Sequence, residues 1–259
     1  MKLNIYQVDA FAQNTFEGNP AAICPLSEWL DDALMQRIAM ENNLSETAFF
    51  VEEKGTFHIR WFTPNSEVAM CGHATLASAH VIYTHLVYTK EEIIFDSKSG
   101  ILKVRKEKER YTMDFPVQTV EECEIPIQLM VAFDTLPIAC YKAMDYLVVF
   151  DKEEDIIDAN PDMNKLKELN LRGIMITAKS EKYDFVTRFF APKYGIDEDP
   201  VTGSAFTQLV PYWSDVLGKD TLKAKQVSLR GGEVFCELKG DRVLMSGYAL
   251  TYLEGFITL

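Results

Sequence analysis

At 259 residues, with 47% hydrophobic and 25% charged side chains, the chain has the composition of a globular protein with room for two domains of ordinary size. A formal net charge of −13 argues against a nucleic-acid binder, which needs a basic face, but leaves room for an anionic metabolite in a pocket of opposing local field. Five scattered cysteines, Cys24, Cys71, Cys123, Cys140 and Cys236, make neither a disulfide framework nor a C-x-x-C metal site, and so predict a reducing compartment, the cytoplasm. Asp9 interrupts any signal-like apolar run, and no stretch is long enough to span a bilayer.

Leu3 to Phe11 has enough alternating apolar residues to read as a strand, which runs into a predicted turn at Gly18-Asn19-Pro20 and a short buried strand at Ala21 to Cys24. Leu30, Leu34 and Ile38 stand at helical spacing, so Trp29 to Met40 reads as an amphipathic helix with Ser27 as its cap. Asn42 to Ser45 ends it. Glu46 then stands directly before the apolar run Thr47 to Val51, a core strand. Lys54-Gly55 predicts a hairpin into a strand at Phe57 to Phe62, and Ala74 to Leu86 reads as a helix whose small face suits burial. Short strands follow at Ile93 to Phe95, Ile101 to Val104 and Tyr111 to Phe115, with a linker placed at Glu121 to Pro126.

The second half has a similar order: a strand at Tyr146 to Phe150, a helix at Met163 to Leu169, and strands at Gly173 to Thr177 and Phe185 to Phe190. Ala205 to Leu217 reads as a helix that Pro211 kinks. Strands at Gln226 to Leu229 and Val234 to Leu238 flank Gly231-Gly232, and Arg242 to Met245 and Ala249 to Leu253 complete the set.

One pattern occurs twice. Arg60-Trp61-Phe62-Thr63-Pro64 leads through a polar loop to Cys71-Gly72-His73-Ala74, and Arg188-Phe189-Phe190-Ala191-Pro192 leads to Thr202-Gly203-Ser204-Ala205. The arginines lie 128 residues apart, close to half the chain. Two copies at so long a period point to duplicated domains rather than a solenoid. The expected class is α+β, two similar pseudo-symmetric domains over residues 1–120 and 121–259, each a barrel-like, mostly antiparallel sheet around a central helix, with the last strands free to cross back to the first domain. Gly72 and Gly203 would each open a helix whose unpaired N–H groups suit a carboxylate or enolate oxygen; alternatively they only ease tight turns, with Ser204 as a helix cap.

Among residues suited to chemistry, Glu46 is a carboxylate at the mouth of an apolar strand, a setting that lets it shuttle a proton near neutral pH. His73 follows Gly72, where an imidazole can relay a proton. No histidine has a recognised metal-ligand spacing, so no metal is expected. Cys71 at a helix N-terminus would be a thiol base in a two-base racemase, but the matching position is Thr202. Asp199, in the acidic loop Asp197-Glu198-Asp199, abuts the second Gly-Ser turn, where a carboxylate can bind an ammonium or hydroxyl. Ser204 has no neighbouring base in the sequence and serves better as a hydrogen-bond donor or cap. No nucleotide-binding loop is present.

At V-D-A-F (Val8 to Phe11), G-N-P-A-A (Gly18 to Ala22), N-L-S-E-T-A-F (Asn43 to Phe49), R-W-F-T-P (Arg60 to Pro64), E-V-x-x-C-G-H-A-T (Glu67 to Thr75), D-P-V-T-G-S-A (Asp199 to Ala205) and Gln226 with Arg230-Gly231, the chain resembles the PhzF family of phenazine-biosynthesis, isomerase-like proteins, which share the diaminopimelate epimerase fold. The resemblance implies an active site in a cleft between two similar domains, no cofactor, and Glu46 moving a proton between carbons of a small unsaturated or amino acid. It implies that His73, Asp199 and Ser204 surround the substrate, that Ser45, Gly72 and Gly203 lend further contacts, and that the protein forms a homodimer. Phe206 departs from the histidine that many relatives place after G-S-A, a difference that bears on the pocket or on helix packing. The rival expectation from another class is a binding or protein-interaction module on the same fold.

Overall fold

A computed structural model describes residues 1–259. In chain order the elements are β1 (Lys2–Ala10), β2 (Asn19–Leu26), α1 (Asp32–Asn42), β3 (Glu46–Glu53), β4 (Thr56–Phe62), β5 (Glu67–Val68), α2 (Gly72–Thr84), β6 (Glu92–Ser97), β7 (Gly100–Glu107) and β8 (Arg110–Pro116). There follow β9 (Glu121–Glu122), α3 (Ile127–Ala132), β10 (Ala139–Lys142), β11 (Tyr146–Val149), α4 (Glu153–Ile157), α5 (Met163–Lys167), β12 (Ile174–Lys179), β13 (Phe185–Ala191) and β14 (Ile196–Asp199). The chain closes with α6 (Phe206–Leu217), β15 (Thr221–Gln226), β16 (Gly232–Lys239), β17 (Arg242–Gly247) and β18 (Ala249–Thr258). Two compact units result, Met1–Asp114 with Ser246–Leu259, and Phe115–Met245.

The duplication read from the repeated arginine motif is written into the strand pairing. In the first unit β1–β2 is antiparallel, β2–β3 parallel, β3–β4 and β4–β5 antiparallel, β4–β6 parallel and β6–β7 antiparallel. In the second, β10–β11, β11–β12, β12–β13, β13–β14, β13–β15 and β15–β16 run in the same six senses. Each unit wraps its sheet around one helix, so the class is α+β with two similar domains.

The central helix α2 is buried nearly all round, whereas α6 buries one face and leaves Asp215 and Val216 exposed. In α2, eleven of thirteen residues are buried, and Ala74, Ala77 and Ser78 let it approach the strands closely. Ser78, fully buried, donates from Oγ to the Ala74 carbonyl at 2.7 Å. In α6, Pro211 cannot donate to the Thr207 carbonyl; the backbone N–H of Gln118 does so instead, at 3.0 Å, which removes the penalty of an orphaned acceptor. Phe206 is fully buried with its ring 6.1 Å from that of Phe185, so it packs within the second unit's core.

The repeated arginines now have a structural reason. Arg60 in β4 grips Glu67 of β5 in a two-pronged pair, at 2.8 and 2.9 Å, and sits 5.2 Å over the Phe62 ring. Arg188 in β13 grips Glu198 of β14 at 2.7 and 3.0 Å and sits 5.2 Å over Phe190. The third prong of each reaches an outer helix: Arg60 Nη1 bonds Asp32 at the start of α1, and Arg188 Nη1 bonds the carbonyl of Ala159 just beyond α4. The planar guanidinium supplies this fixed fork, which a lysine ammonium cannot. Each Arg thus pins the loop that leads to the polar turn.

Several sequence readings are corrected. Asn19-Pro20 is not a turn but the start of β2, and only Gly18 turns, at φ 71°. Helix α1 starts three residues later than the hydrophobic spacing suggests because Asp31, not Ser27, accepts the Ala33 N–H at 3.0 Å. The strand placed at Gln226 to Leu229 is β15 and ends at Gln226; the five residues after it, Val227 to Gly231, turn back to β16. Glu121-Glu122 is not linker but a two-residue strand on β10.

Inside the first unit, His80 of α2 lies between the Tyr111 hydroxyl at 3.0 Å and the Thr251 hydroxyl at 2.9 Å, which also meets His85 Nε2 at 2.9 Å. Burial, helped by His85 and Lys106, pushes the His80 ring down to about 4. The unfolded chain therefore binds this proton more tightly than the folded one, and stability is lost as pH falls from about 6.5 toward 4, by up to about 3 kcal/mol. Urea unfolding at pH 7 and pH 4.5 should show this loss in the parent and a visibly smaller one in His80→Gln; equal losses in both would remove His80 as the cause.

Candidate active site

Glu46 is placed by the backbone before it. Asn43 ends α1 in the left-handed conformation, at φ 48°, with its N–H on the Ala39 carbonyl at 3.1 Å, and Leu44-Ser45 then delivers Glu46 as the first residue of β3. Asn19 is placed from the other side: a Cβ on Gly18 would lie 2.2 Å from the Ala10 carbonyl oxygen, so only glycine allows the turn that starts β2 there. His73 comes from the first turn of α2, behind Cys71, whose extended backbone opens that helix.

These three segments converge. Glu46 Oε2 lies 3.1 Å from His73 Nε2, with the Glu46 side chain 14% exposed and that of His73 7%. The contact is out of line for a directed hydrogen bond, and Glu46 Oε2, itself buried, has no other partner. Asn19 Nδ2 lies 3.3 Å from His73 Nδ1, and Cys71 Sγ lies 3.5 Å from Nδ1 and 4.0 Å from Nε2. Ser45 Oγ donates to Asn19 Oδ1 at 3.2 Å, which turns the amide nitrogen toward the imidazole. A chain Ser45, Asn19, His73, Glu46 thus ends on a carboxylate oxygen with unused accepting capacity.

The electrostatics favour a proton on this line. Burial pulls the His73 ring down, but the Cys71 sulfur and the Glu46 carboxylate outweigh it and hold the ring well above its usual range. Burial, reinforced by the Glu46 charge, pushes the Cys71 thiol up to about 11, so near neutral pH the sulfur keeps its proton. His73 is therefore held in its protonated form beside the Glu46 carboxylate. Sequence spacing gave no metal-ligand pattern, yet the fold gathers Glu46, Cys71 and His73 so that one ligand atom of each lies within 4.8 Å of the others.

The second unit holds the remaining expected residues in its own polar cluster. Asp199, at the end of β14, accepts a hydrogen bond from Thr202 Oγ1. Gln226, fully buried, clamps the same loop: its Oε1 accepts from the Thr202 N–H at 2.9 Å and its Nε2 donates to the Asp199 carbonyl at 2.7 Å. Gly203 and Ser204 form a single 3-10 turn, and α6 begins only at Phe206, so Ser204 is not a helix cap. Its hydroxyl accepts from Arg172 Nη2 at 2.9 Å.

Arg172 escapes the sequence reading. It has no motif, and its role comes from Asp145, a fully buried carboxylate that accepts from its Nε at 2.9 Å and its Nη2 at 2.5 Å. Gln208 Nε2 donates to the same carboxylate at 3.2 Å. The only local signal is Gly173, where a Cβ would lie 2.2 Å from the Phe189 ring. That close approach keeps the Arg172 guanidinium over the ring, 5.6 Å from its centre.

The fold is that of the epimerases. A hydroxyproline epimerase from Agrobacterium vitis superposes with a TM-score of 0.64 over 100% of this chain and 93% of that one, at only 8% identity, which speaks for architecture alone. Within that class, the sequence profile of phenazine biosynthesis-like proteins, PhzC-PhzF, matches residues 8–255, and the chain belongs to this family. A PhzF-family crystal structure from Enterococcus faecalis is 45% identical with a TM-score of 0.98, covering 100% of both chains. A Pseudomonas aeruginosa protein named an uncharacterized isomerase is 49% identical over 259 residues, again covering 100% of both. These relatives and the epimerase-type neighbours support an isomerase-type enzyme. No helix is long and apolar enough to cross a membrane.

Proposed function

We propose that the protein is a cofactor-independent isomerase or epimerase that moves a proton between carbons of a small unsaturated or amino acid, with Glu46 as the general acid and base. The observation that carries this reading is the buried Glu46 Oε2, 3.1 Å from His73 Nε2 and without a directed hydrogen bond. A carboxylate oxygen so held is short of a proton donor, and a substrate C–H made acidic by an adjacent unsaturated or carboxyl group supplies one. Glu46 takes that proton as a carboxylate and returns it as a carboxylic acid to another carbon, or to the other face. Nothing is oxidised and no group leaves. His73, held protonated 3.1 Å away, steadies the carboxylate between the two transfers by its charge.

Cys71 is the poorer base, since its thiol is pushed up to about 11 and the matching residue of the second unit is Thr202. In the second unit, Asp199 with Thr202 and Ser204 with Arg172 are the polar pairs offered to an anionic or amino-acid-like ligand, and Gly72 and Gly203 contribute backbone. The reading includes a cytoplasmic homodimer. It is tested by incubating the protein in D₂O with cyclic dienes, β,γ-unsaturated acids and amino acids and following deuterium at carbon by NMR. Deuterium entering one class is the expected result; tight binding of a compound with no exchange in any would favour a binding module on the same fold.

A further inference from the structure

Three different ligand chemistries meet within the first unit: a carboxylate, a thiol and an imidazole. Zn²⁺ holds sulfur at about 2.3 Å and imidazole nitrogen or carboxylate oxygen at about 2.0–2.2 Å in a tetrahedron, so its ligand atoms stand roughly 3.3–3.6 Å apart. Here Glu46 Oε2 is 3.1 Å from His73 Nε2, and Cys71 Sγ is 4.0 Å from the same nitrogen. Cys71 Sγ, which also lies 3.5 Å from His73 Nδ1, has to turn about its Cα–Cβ bond to face Nε2. An independent observation points the same way: Glu46 Oε2 is a buried acceptor with no directed hydrogen bond, the state of an oxygen that a cation would satisfy.

The shell behind the imidazole also suits a metal. A ligand histidine usually donates its other ring N–H to a carbonyl or carboxylate, which fixes its orientation. Asn19 touches His73 Nδ1 at 3.3 Å and Ser45 Oγ at 3.2 Å. Turned by half a rotation about its last bond, the amide accepts from Nδ1–H through Oδ1 and donates to Ser45 through Nδ2. The same two residues therefore serve the proton-holding and the metal-holding states of His73.

We propose that Glu46, Cys71 and His73 bind one borderline-soft divalent cation, represented by Zn²⁺, through Oε2, Sγ and Nε2, with the fourth tetrahedral position open. Binding displaces two protons to solvent, one from the Cys71 thiol and one from Nε2 of the protonated His73 ring, which keeps its Nδ1 proton, and changes no oxidation state. Affinity therefore rises with pH. With the cation in place Glu46 can no longer accept a carbon-bound proton, so the metal switches proton transfer off; that consequence rests on the isomerase reading, whereas the binding does not.

The full chain, kept reduced, is titrated with Co²⁺ as a coloured stand-in for Zn²⁺. One equivalent is expected to produce intense tetrahedral d–d bands and a sulfur-to-cobalt charge-transfer band, both bleached by Zn²⁺. Cys71→Ser should lose the charge-transfer band, and Glu46→Gln and His73→Gln should each weaken binding at least tenfold. The other thiols in contact, Cys123 and Cys140 with sulfurs 3.6 Å apart, supply the control, and Cys140→Ser should leave the spectrum unchanged. A band that survives Cys71→Ser but vanishes in Cys140→Ser, or no cobalt spectrum at saturating metal, overturns the proposal. The spectrum needs no turnover, so cobalt binding by a protein whose metal-free form exchanges no carbon-bound proton would sink the isomerase reading and keep the site, and exchange by the metal-free form without cobalt binding would do the reverse.

Discussion

Glu46→Gln should lower deuterium exchange at carbon by about 10²–10⁴-fold, the range that a positioned acid or base contributes, while ligand affinity changes only a few-fold. Glutamine keeps the shape and one carbonyl acceptor at the head of β3, so the strand and its parallel pairing with β2 should survive. What it lacks is the oxygen that can gain and give up a proton. It also removes one of the charges that holds the His73 ring above its usual range, so the ring of the variant should titrate at lower pH. NMR titration of the His73 ring carbon protons in parent and variant reads this directly. A variant that exchanges as fast as the parent would take Glu46 out of the chemistry; one that has lost ligand binding as well would make it a binding residue.

Asp145→Ala should carry the largest stability cost of any single polar substitution in the second unit, about 3 kcal/mol, or roughly 10 °C in Tm. The Asp145 side chain is 0% exposed and holds both the Arg172 guanidinium and the Gln208 amide. Removing it leaves two donors facing an apolar gap, and the penalty of an unpaired buried group exceeds the modest net worth of the pair when intact. The expected figure lies at the low end of the range for buried pairs because the Arg172 side chain is 35% exposed, so water can recover part of its charge. Asp145→Asn, which keeps the shape and one acceptor, should cost less than half as much. A loss below about 1 kcal/mol for Asp145→Ala in urea unfolding would show that Gln208 and Arg172 repack around the gap.

Much of this architecture is legible in the residues. The doubled Arg-aromatic-aromatic motif disclosed the duplication because an arginine that must pin a loop to a helix cannot be replaced by a shorter or rounder cation, and so leaves the same letters in both halves. The central helix α2 was readable from Ala74, Ala77 and Ser78. Glu46 stood out as the charge at the mouth of an apolar strand, and His73 as the imidazole at a helix start. Their 3.1 Å approach was not legible, since residues 46 and 73 meet only through pairing of β2, β3 and β4 around α2. Asn19 was hidden for a different reason: beside glycine and proline it reads as a turn, while the register with Ala10 makes it a strand residue. Arg172 was invisible because its position depends on Asp145, 27 residues away and on no common motif. The meeting of Glu46, Cys71 and His73 was hidden for the same cause, for Cys71 and His73 gain Glu46 as a neighbour only through the fold.

The last strand has a consequence for how the protein is made. β1 lies between β2 and β18, so one edge of β1 has no partner until residues 249–258 have left the ribosome. The whole second unit, Phe115–Met245, is synthesised in between, and it can complete itself first. At about 5–20 residues per second the nascent first unit waits on the order of ten seconds with an open, apolar strand edge, the kind of surface on which chains pair wrongly. A chaperone that shields that edge during elongation, or a slower translation of the second unit, would therefore be felt in the first unit's yield, although neither touches a residue of its core.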